Sequence, residues 1–385
     1  MKKSLLIALL ALGLPLAAQE TQTATQPQTA EETKETPTVE ELAGKLEALT
    51  EAFTESRNSL EILNRLRIAG YIQAEYVHSD ASQNQLTGPT ATRNLDTFRV
   101  RRGRINFQYQ FLPTGRFVLQ PDLSSSGVAL RDAYIEIAEP WTSWRHTATV
   151  GQFKWPFGYE VRQSSRDREM PERTLVVRTL FPGERDRGLQ MSGAGFGERF
   201  NYRIGVFNGN GTSADRDLNK RKDIVGRVGV NLGALDLGVS GYNGAEIVPL
   251  AATGNPLPQG EFEKDRWGID LQWVTPLPGL GVRGEYIRGT QPPNANAGAS
   301  ARTADVDGWY VYLIQNLGTK HQLVLRADQY DPNVDTDNNA TRTLGGSYIF
   351  HYDPNIKVMV AYEQPRLESN DPDDDLATIR VQYTF

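Results

Sequence analysis

The stretch DTFRVRRGRINFQYQF (96–111) carries Arg99, Arg101, Arg102 and Arg104, with a single acid, Asp96, beside them. Guanidinium groups packed this closely repel one another and cannot be buried cheaply without partners. A second run, EVRQSSRDREMPERTLVVRTLFPGERDR (160–187), holds Arg162, Arg166, Arg168, Arg173, Arg178, Arg185 and Arg187. Against them stand Glu160, Asp167, Glu169, Glu172, Glu184 and Asp186, leaving one excess positive charge. Arginine presents planar, fixed donors that match oxyanions, so the chemistry on offer is the handling of small anions. The second run also has an apolar core, Leu175, Val176, Val177, Leu180 and Phe181. A loop in water has no use for such a core, whereas a loop packed inside a wall does.

Other chemistries are thinly represented. His78, His146, His321 and His351 fall at no metal-ligand spacing and read as interfacial or loop residues. Asp335-Thr-Asp337-Asn-Asn339 starts like a calcium loop but lacks the following Gly and the closing Glu. With NDPDDD (370–375) it reads as a solvated extracellular acid patch. There is no G-x-S-x-G setting and no phosphate loop. The absence of cysteine excludes disulfides and zinc-thiolate sites. A net charge of −6 over 385 residues gives no global basic field for nucleic acid. The expectation is a protein that is not an enzyme and needs no cofactor or metal.

The elements that must position these arginines follow from the pattern of the chain. Residues 1–18, MKKSLLIALLALGLPLAA, have a Lys2–Lys3 head, a short apolar run and a small-residue end, as in a secretory signal cut after Ala18. Residues 19–37 are polar and low in complexity, a flexible linker. In 38–67, Leu42, Leu46, Leu49, Phe53, Leu60 and Leu63 step by four and three, with Ser56 at the one missing seam position. This predicts an amphipathic helix with a heptad seam, a short periplasmic coiled coil that ties identical subunits together.

From residue 68 onward the period is two. Strands are expected near 68–78, 96–111, 116–123, 128–138, 146–158, 187–195, 199–208, 222–231, 235–244, 264–274, 281–290, 305–316, 320–330, 341–351, 356–364 and 376–385. Short turns such as 112–115, 233–234, 317–319 and 352–355 alternate strictly with long loops such as 79–95, 159–186, 245–263, 290–304 and 331–340. That alternation predicts an all-β, antiparallel up-and-down transmembrane barrel of sixteen strands over 68–385, with the 160–187 loop folded inward. A mean hydropathy of −0.48 suits it, because only every second residue meets lipid around a wet lumen.

Strand parity then sorts the side chains. Phe153, Trp155, Tyr202, Ile204, Val206, Trp267, Ile269, Leu271, Trp273, Leu323 and Leu325 are expected to face lipid. Inward basic residues are Arg102, Arg104, Lys154, Arg203, Arg227, Arg283, Arg326 and Arg380. Inward acids are Glu75, Asp132, Glu136, Asp236, Asp270, Glu285 and Asp328, so the lumen is nearly balanced and arrangement must decide selectivity. Tyr71 and Tyr134 are inward aromatics. By the same parity, Arg99 and Arg101 point outward and belong at the outer rim, against lipid phosphates or a neighbouring subunit.

Several stretches resemble the phosphate-selective porin O/P family: FRVRRGRINF (98–107), LRDAYIEI (130–137), TVGQFKWPFGYE (149–160), RTLVVRTLFPGERDRGLQMSG (173–193), GEYIRG (284–289) and VLRADQYDPN (324–333). The middle pair, GQFKWPFG and LFPGERDRG, is the most specific. The resemblance implies a homotrimeric sixteen-stranded porin of the bacterial outer membrane that passes small anions, phosphate among them. It also implies outer-membrane lipid and lipopolysaccharide as surroundings, and places the N-terminal segment in the periplasm. The closing IRVQYTF, ending on Phe385, resembles the signal read by the barrel-assembly machinery. The family's lysine-lined entrance has little counterpart, since only Lys264, Lys320 and Lys357 occur after residue 230. The expected anion path is Arg102, Arg104, Lys154, Arg162, Arg166, Arg168, Arg173, Arg187, Arg203, Arg227, Arg326 and Arg380. A general non-specific porin and a structural anchor using the coiled coil are the alternatives.

Overall fold

A computed structural model describes residues 38–79, 96–125, 127–212, 217, 219–251, 259–293, 297–298, 302–369 and 375–385. The leader, the polar linker and residues 370–374 of the acid patch lie outside the described residues. The described residues up to Asn58 and those from Ser59 to Phe385 fall in two separate units.

Helix α1 spans Val39–Arg65. Its start is a capping box. The Glu41 N–H donates to Thr38 Oγ1 and the Thr38 N–H to Glu41 Oε2, each at 3.3 Å. Leu42, Leu46, Leu49, Phe53 and Leu63 are all exposed along it. The side chains of Ser56 and Leu60 lie outside the described residues.

The chain then forms β1 (Leu66–Ser79), β2 (Thr97–Leu112), β3 (Gly115–Ser124), β4 (Gly127–Ala138), β5 (Thr147–Lys154), β6 (Arg185–Gly195), β7 (Phe200–Phe207), β8 (Asp223–Asn231) and β9 (Leu235–Asn243). It continues with β10 (Ala245–Ala251), β11 (Gln259–Glu263), β12 (Arg266–Val274), β13 (Leu280–Gln291), β14 (Ala297–Gly298) and β15 (Ala304–Leu317). The last four are β16 (His321–Asp331), β17 (Thr341–His351), β18 (Ile356–Leu367) and β19 (Leu376–Thr384). Sixteen of them close an antiparallel barrel in chain order, β19 pairing back onto β1, as the two-residue period predicts. β10, β11 and β14 form a small separate sheet in regions that the sequence suggested were loop. Phe385 helps close the ring: its N–H donates to the Gly70 carbonyl at 3.0 Å and its carbonyl accepts the Gly70 N–H at 2.9 Å.

Outward parity holds for most of the expected lipid-facing set. Ile204, Val206, Trp267, Ile269, Trp273, Leu323 and Leu325 are exposed on the outer wall. Phe153 and Trp155 are corrections, since both are buried. Phe153 packs on Phe207 and Trp155 on Phe181 and Tyr242. The cause is local. Val150 is exposed and the pairing of β5 with β6 is unbroken, so plain alternation from Val150 turns Phe153 inward, and β5 stops at Lys154 rather than running to 158. The expected strict alternation of connections also breaks once, because β3 and β4 are joined on the long-loop side by two residues only.

Residues 155–184 cross the lumen. The Gln73 side-chain amide on β1 donates to the Ser165 carbonyl. The Gly158 N–H donates to Ser240 on β9, and Tyr312 of β15 donates to Glu160. Ser347 of β17 donates to the Glu169 carbonyl and Lys357 of β18 to that of Arg166. A segment that bonds strands all around a closed ring lies inside it. Helix α2 (Leu175–Leu180) supplies its apolar anchor, burying Val176, Val177 and Leu180 against the inner wall. The anchor fits because Gly308 of β15 lacks a side chain: a Cβ there would sit 2.7 Å from Val176. A Cβ there would also meet the Gln329 carbonyl of β16 at 2.7 Å, so Gly308→Leu should displace α2 and press on the wall, at an overpacking cost of about 1–3 kcal/mol. The expected result is a larger single-channel conductance in a planar bilayer with the barrel still folded. An unchanged conductance would count against this anchoring.

Candidate functional site

The arginines of β2 are positioned by a β-bulge. Opposite β1, Gln73 pairs with Arg102 and Ala74 with Val100, so Arg101 is the extra, unpaired residue. One inserted residue flips the parity of everything before it. Phe98 and Val100 are therefore the outward residues before the bulge, both exposed. Arg99 and Arg101 turn inward with Arg102 and Arg104. The expected rim pair is thus corrected. Arg99 bonds Glu75 at 2.7 Å, and Arg101 bonds Glu172 of the lumenal segment through Nε at 2.8 Å and Nη2 at 3.1 Å.

The same device acts on β4. Gln120 pairs with Asp132 and Pro121 with Leu130, leaving Arg131 as the extra residue. Val128 and Leu130 face outward before this bulge and Ile135 and Ile137 after it, so Arg131 swings into the lumen. Plain parity puts both bulged arginines on the lipid side. A run of like charges at the outer end of a lipid-facing strand is the one sequence signal that would have flagged Arg101. Arg131 carries no such signal.

These side chains converge on a cavity of about 330 Å³ between the lumenal segment and the wall of β2–β4. Its lining includes seven arginines, Arg101, Arg102, Arg104, Arg131, Arg168, Arg173 and Arg178, but only three carboxylates, Asp122, Glu172 and Glu184. It reaches the short β3–β4 hairpin at Ser124 and Gly127. Glu172 is the hub. Arg101 and Arg102 bond it at 2.8 and 2.7 Å, and Arg168 and Arg380 lie at 3.5 and 3.4 Å. Arg104 bonds Asp122 at 2.9 Å and Ser165 Oγ at 2.8 Å, and Ser165 also meets the Tyr71 hydroxyl at 2.6 Å. Arg173 pairs with Glu184 and donates to the carbonyls of Glu160 and Gln163. Arg131 reaches the Gly183 carbonyl at 3.3 Å and lies 3.9 Å from Glu184. The lining thus holds more guanidinium groups than carboxylates, which makes the cavity a positively charged surface.

The remaining expected path residues are elsewhere. Arg326 is buried against Asp328 at 2.8 Å and Glu363, and Arg380 against Glu75 and Glu172. Arg227 is buried between Asp270 at 2.6 Å and Asp236 at 3.2 Å. These three are wall ion pairs outside the cavity lining. Parity alone cannot see the acid that will cover each one. Lys154 is spent on structure, donating to the carbonyls of Arg162 and Gln163 at 3.2 and 2.5 Å. Arg162 donates to the Gly158 carbonyl, and Arg166 is exposed and paired with Asp167 at 2.9 Å. Arg187 lies in β6 opposite Gln152, outside the cavity lining. Arg203 stands exposed on β7 opposite Arg227. Arg283 pairs with Glu169 at 2.9 Å, and Tyr134 packs edge-on against Phe153.

The expected inward acids are sequestered. Glu75, Asp270, Glu285 and Asp328 are buried. Asp132 is taken by Arg185 and Glu136 by Arg116. Glu285 accepts N–H donors from Tyr159 and Glu160 and the Tyr310 hydroxyl, so the lumenal segment itself caps it. Charge that balances in composition is thus unbalanced at the cavity. Among the described residues, no group of three or more metal-ligating side chains is found.

No curated protein sequence matches the chain. Solved structures match its fold. An anion-selective porin from Comamonas acidovorans has a TM-score of 0.60 at 9% identity, covering 83% of this chain and 99% of that one. OprB of Pseudomonas putida has a TM-score of 0.60 at 10% identity, covering 85% and 96%. A trimeric form of OmpT from Vibrio cholerae has a TM-score of 0.57 at 10% identity, covering 83% and 99%. At these identities the likeness is one of fold. The family model for phosphate-selective porin O and P matches residues 71–253, the stretch that contains both bulges and the lumenal segment. The chain is a porin, a sixteen-stranded membrane barrel whose residues 71–253 match the family model for phosphate-selective porin O and P.

Proposed function

We propose that this porin is a passive outer-membrane channel for small anions, which pass between the lumenal segment and the wall of β2–β4. The observation that carries the reading is the cavity with seven arginines and three carboxylates. Arrangement supports it further, because the wall acids are covered while the arginines gather on one side. Cations at a constriction favour anions when binding stays weak enough for release. Phosphate suits the planar arginine donors best among common small anions. The test is a reversal potential across a potassium chloride gradient in a planar bilayer, followed by phosphate added to the chloride current. Anion-signed potentials and a phosphate-dependent drop in chloride current are expected. A cation-signed potential would overturn the reading.

The same reading extends to assembly. The exposed apolar stripe of α1 supports a periplasmic coiled coil in a homotrimer, and the aromatic Phe385 end supports recognition by the barrel-assembly machinery. The short turns would then face the periplasm and the long loops the exterior, toward lipopolysaccharide. Deleting residues 19–65, which stops short of β1, should leave conductance and its sign intact while weakening the trimer on a native gel.

A further inference from the structure

The outer wall carries a feature that anion passage does not use. Gly346 of β17 stands between its register partners Leu325 on β16 and Tyr362 on β18. With no side chain there, a groove of about 540 Å³ opens in the outward surface, lined chiefly by apolar side chains that include Leu313, Leu323 and Val360. Its lip toward the short turns is Tyr348. The Tyr348 hydroxyl lies 2.7 Å from His321 Nδ1. The His321 ring stacks on Tyr348 and Phe350, with centroids 6.0 and 5.3 Å apart. Lys320 precedes it, exposed, with no ion pair among the described residues. Asp353, the acid of the neighbouring short turn, already accepts the N–H groups of Asn355 and Ile356 at 2.7 and 2.8 Å.

The head of this arrangement recurs elsewhere on the wall. Arg145 precedes His146, whose Nδ1 lies 2.7 Å from the Tyr202 hydroxyl and whose ring stacks on Trp144 at 5.9 Å. Both clusters stand at the start of a strand that leaves a short turn. Both combine a basic residue, an imidazole held by a tyrosine and an aromatic partner. The head at the Gly346 site sits directly above an apolar groove, whereas the cavity of about 450 Å³ beside Trp144, Arg145 and Tyr202 is of mixed polarity.

We propose that the groove and its lip bind one phospholipid of the periplasmic leaflet, an acyl chain lying over Gly346 and the phosphate held by Lys320 and His321. A tyrosine hydroxyl donating to Nδ1 leaves the imidazole proton on Nε2, a donor on an exposed ring. An ammonium and that N–H make a phosphate clamp. Short turns mark the periplasmic end of such barrels, whose inner leaflet supplies the phospholipid, and the aromatic rings sit at head-group level. A second copy of the chain is the poorer occupant, because it would bury the Lys320 charge without a partner.

The experiment uses the full chain in detergent, with bound lipid counted by native mass spectrometry. The probes are phosphatidylglycerol, diacylglycerol of the same chain length and inorganic phosphate. The site predicts that phosphatidylglycerol is retained about tenfold better than diacylglycerol and that inorganic phosphate does not displace it. Lys320→Ala with His321→Phe should reduce phosphatidylglycerol retention to the diacylglycerol level, and Gly346→Leu should reduce both. The rim variant keeps the aromatic stack, so it tests the clamp even if Gly346→Leu fails to fold. Equal retention of the two lipids, full retention in the rim variant, or displacement by inorganic phosphate would overturn the proposal. So would a Gly346→Leu protein that changes its subunit number while holding phosphatidylglycerol normally. None of these outcomes bears on ion selectivity, which the reversal potential reads separately.

Discussion

Replacing Arg101, Arg102 and Arg104 together by alanine should lower the preference for chloride over potassium by about tenfold or more, with reversal potentials moving toward the cation side. The variant leaves the cavity lining with four arginines, Arg131, Arg168, Arg173 and Arg178, against the same three carboxylates. A unit charge 4 Å from a passing ion is worth about 1 kcal/mol in water and about 4 kcal/mol at the effective dielectric near a protein surface. Three such charges therefore outweigh any plausible relaxation of the wall. Two losses add. Asp122 loses Arg104 and becomes free to attract cations, and Glu172 loses Arg101 and Arg102 and keeps only Arg168 and Arg380. Arg166→Ala is the matched control. That residue is exposed, pairs with its neighbour Asp167 and lies outside the cavity lining, so its removal should barely move the reversal potential. A triple variant that keeps the parent preference would place the selective step elsewhere in the lumen.

Glu172→Gln should act in the opposite sense on selectivity and strongly on stability. One carboxylate holds Arg101, Arg102, Arg168 and Arg380, joining β2, the lumenal segment and β19. Removing one partner from a buried ion pair costs about 3–5 kcal/mol, because the charges left behind have no water to replace it. The amide keeps the shape and one acceptor, so the loss isolates charge from packing. The unfolding midpoint, followed by circular dichroism in denaturant, should fall well below that of the parent. The cavity meanwhile gains a positive charge, so the folded channel should favour anions more. Unchanged stability would mean that Glu172 is solvated and its arginines are held by other groups. The two variants thus separate. One weakens selectivity by removing cations, and the other strengthens it at the cost of the fold.

Much of this molecule is legible in its sequence, for reasons that are local. In a barrel wall every second side chain meets lipid, so polarity alternates within each strand. That pattern alone placed all sixteen wall strands near their positions in the ring. The GQFKWPFG and LFPGERDRG blocks flank the lumenal segment, and its apolar run Leu175–Phe181 marks it as packed rather than solvated. The arginine-rich stretches were visible as chemistry for the same reason, since a charge run that nothing nearby neutralises must find its partners at a distance.

What only the tertiary structure decided is which arginines meet. Parity is counted residue by residue, so a single extra residue reverses it. The bulges at Arg101 and Arg131 did so, and moved into the lumen residues that counting assigns to lipid. Neither bulge is written in local composition, because each arises where two strands adjust their register to each other. Partner choice is equally non-local. Arg380 finds Glu75 across the closing seam of the barrel, and Arg102 finds Glu172 on a segment that has crossed the lumen. A sequence can therefore balance its charges in number, while only the closed ring determines which acids are buried and which arginines are left facing the cavity.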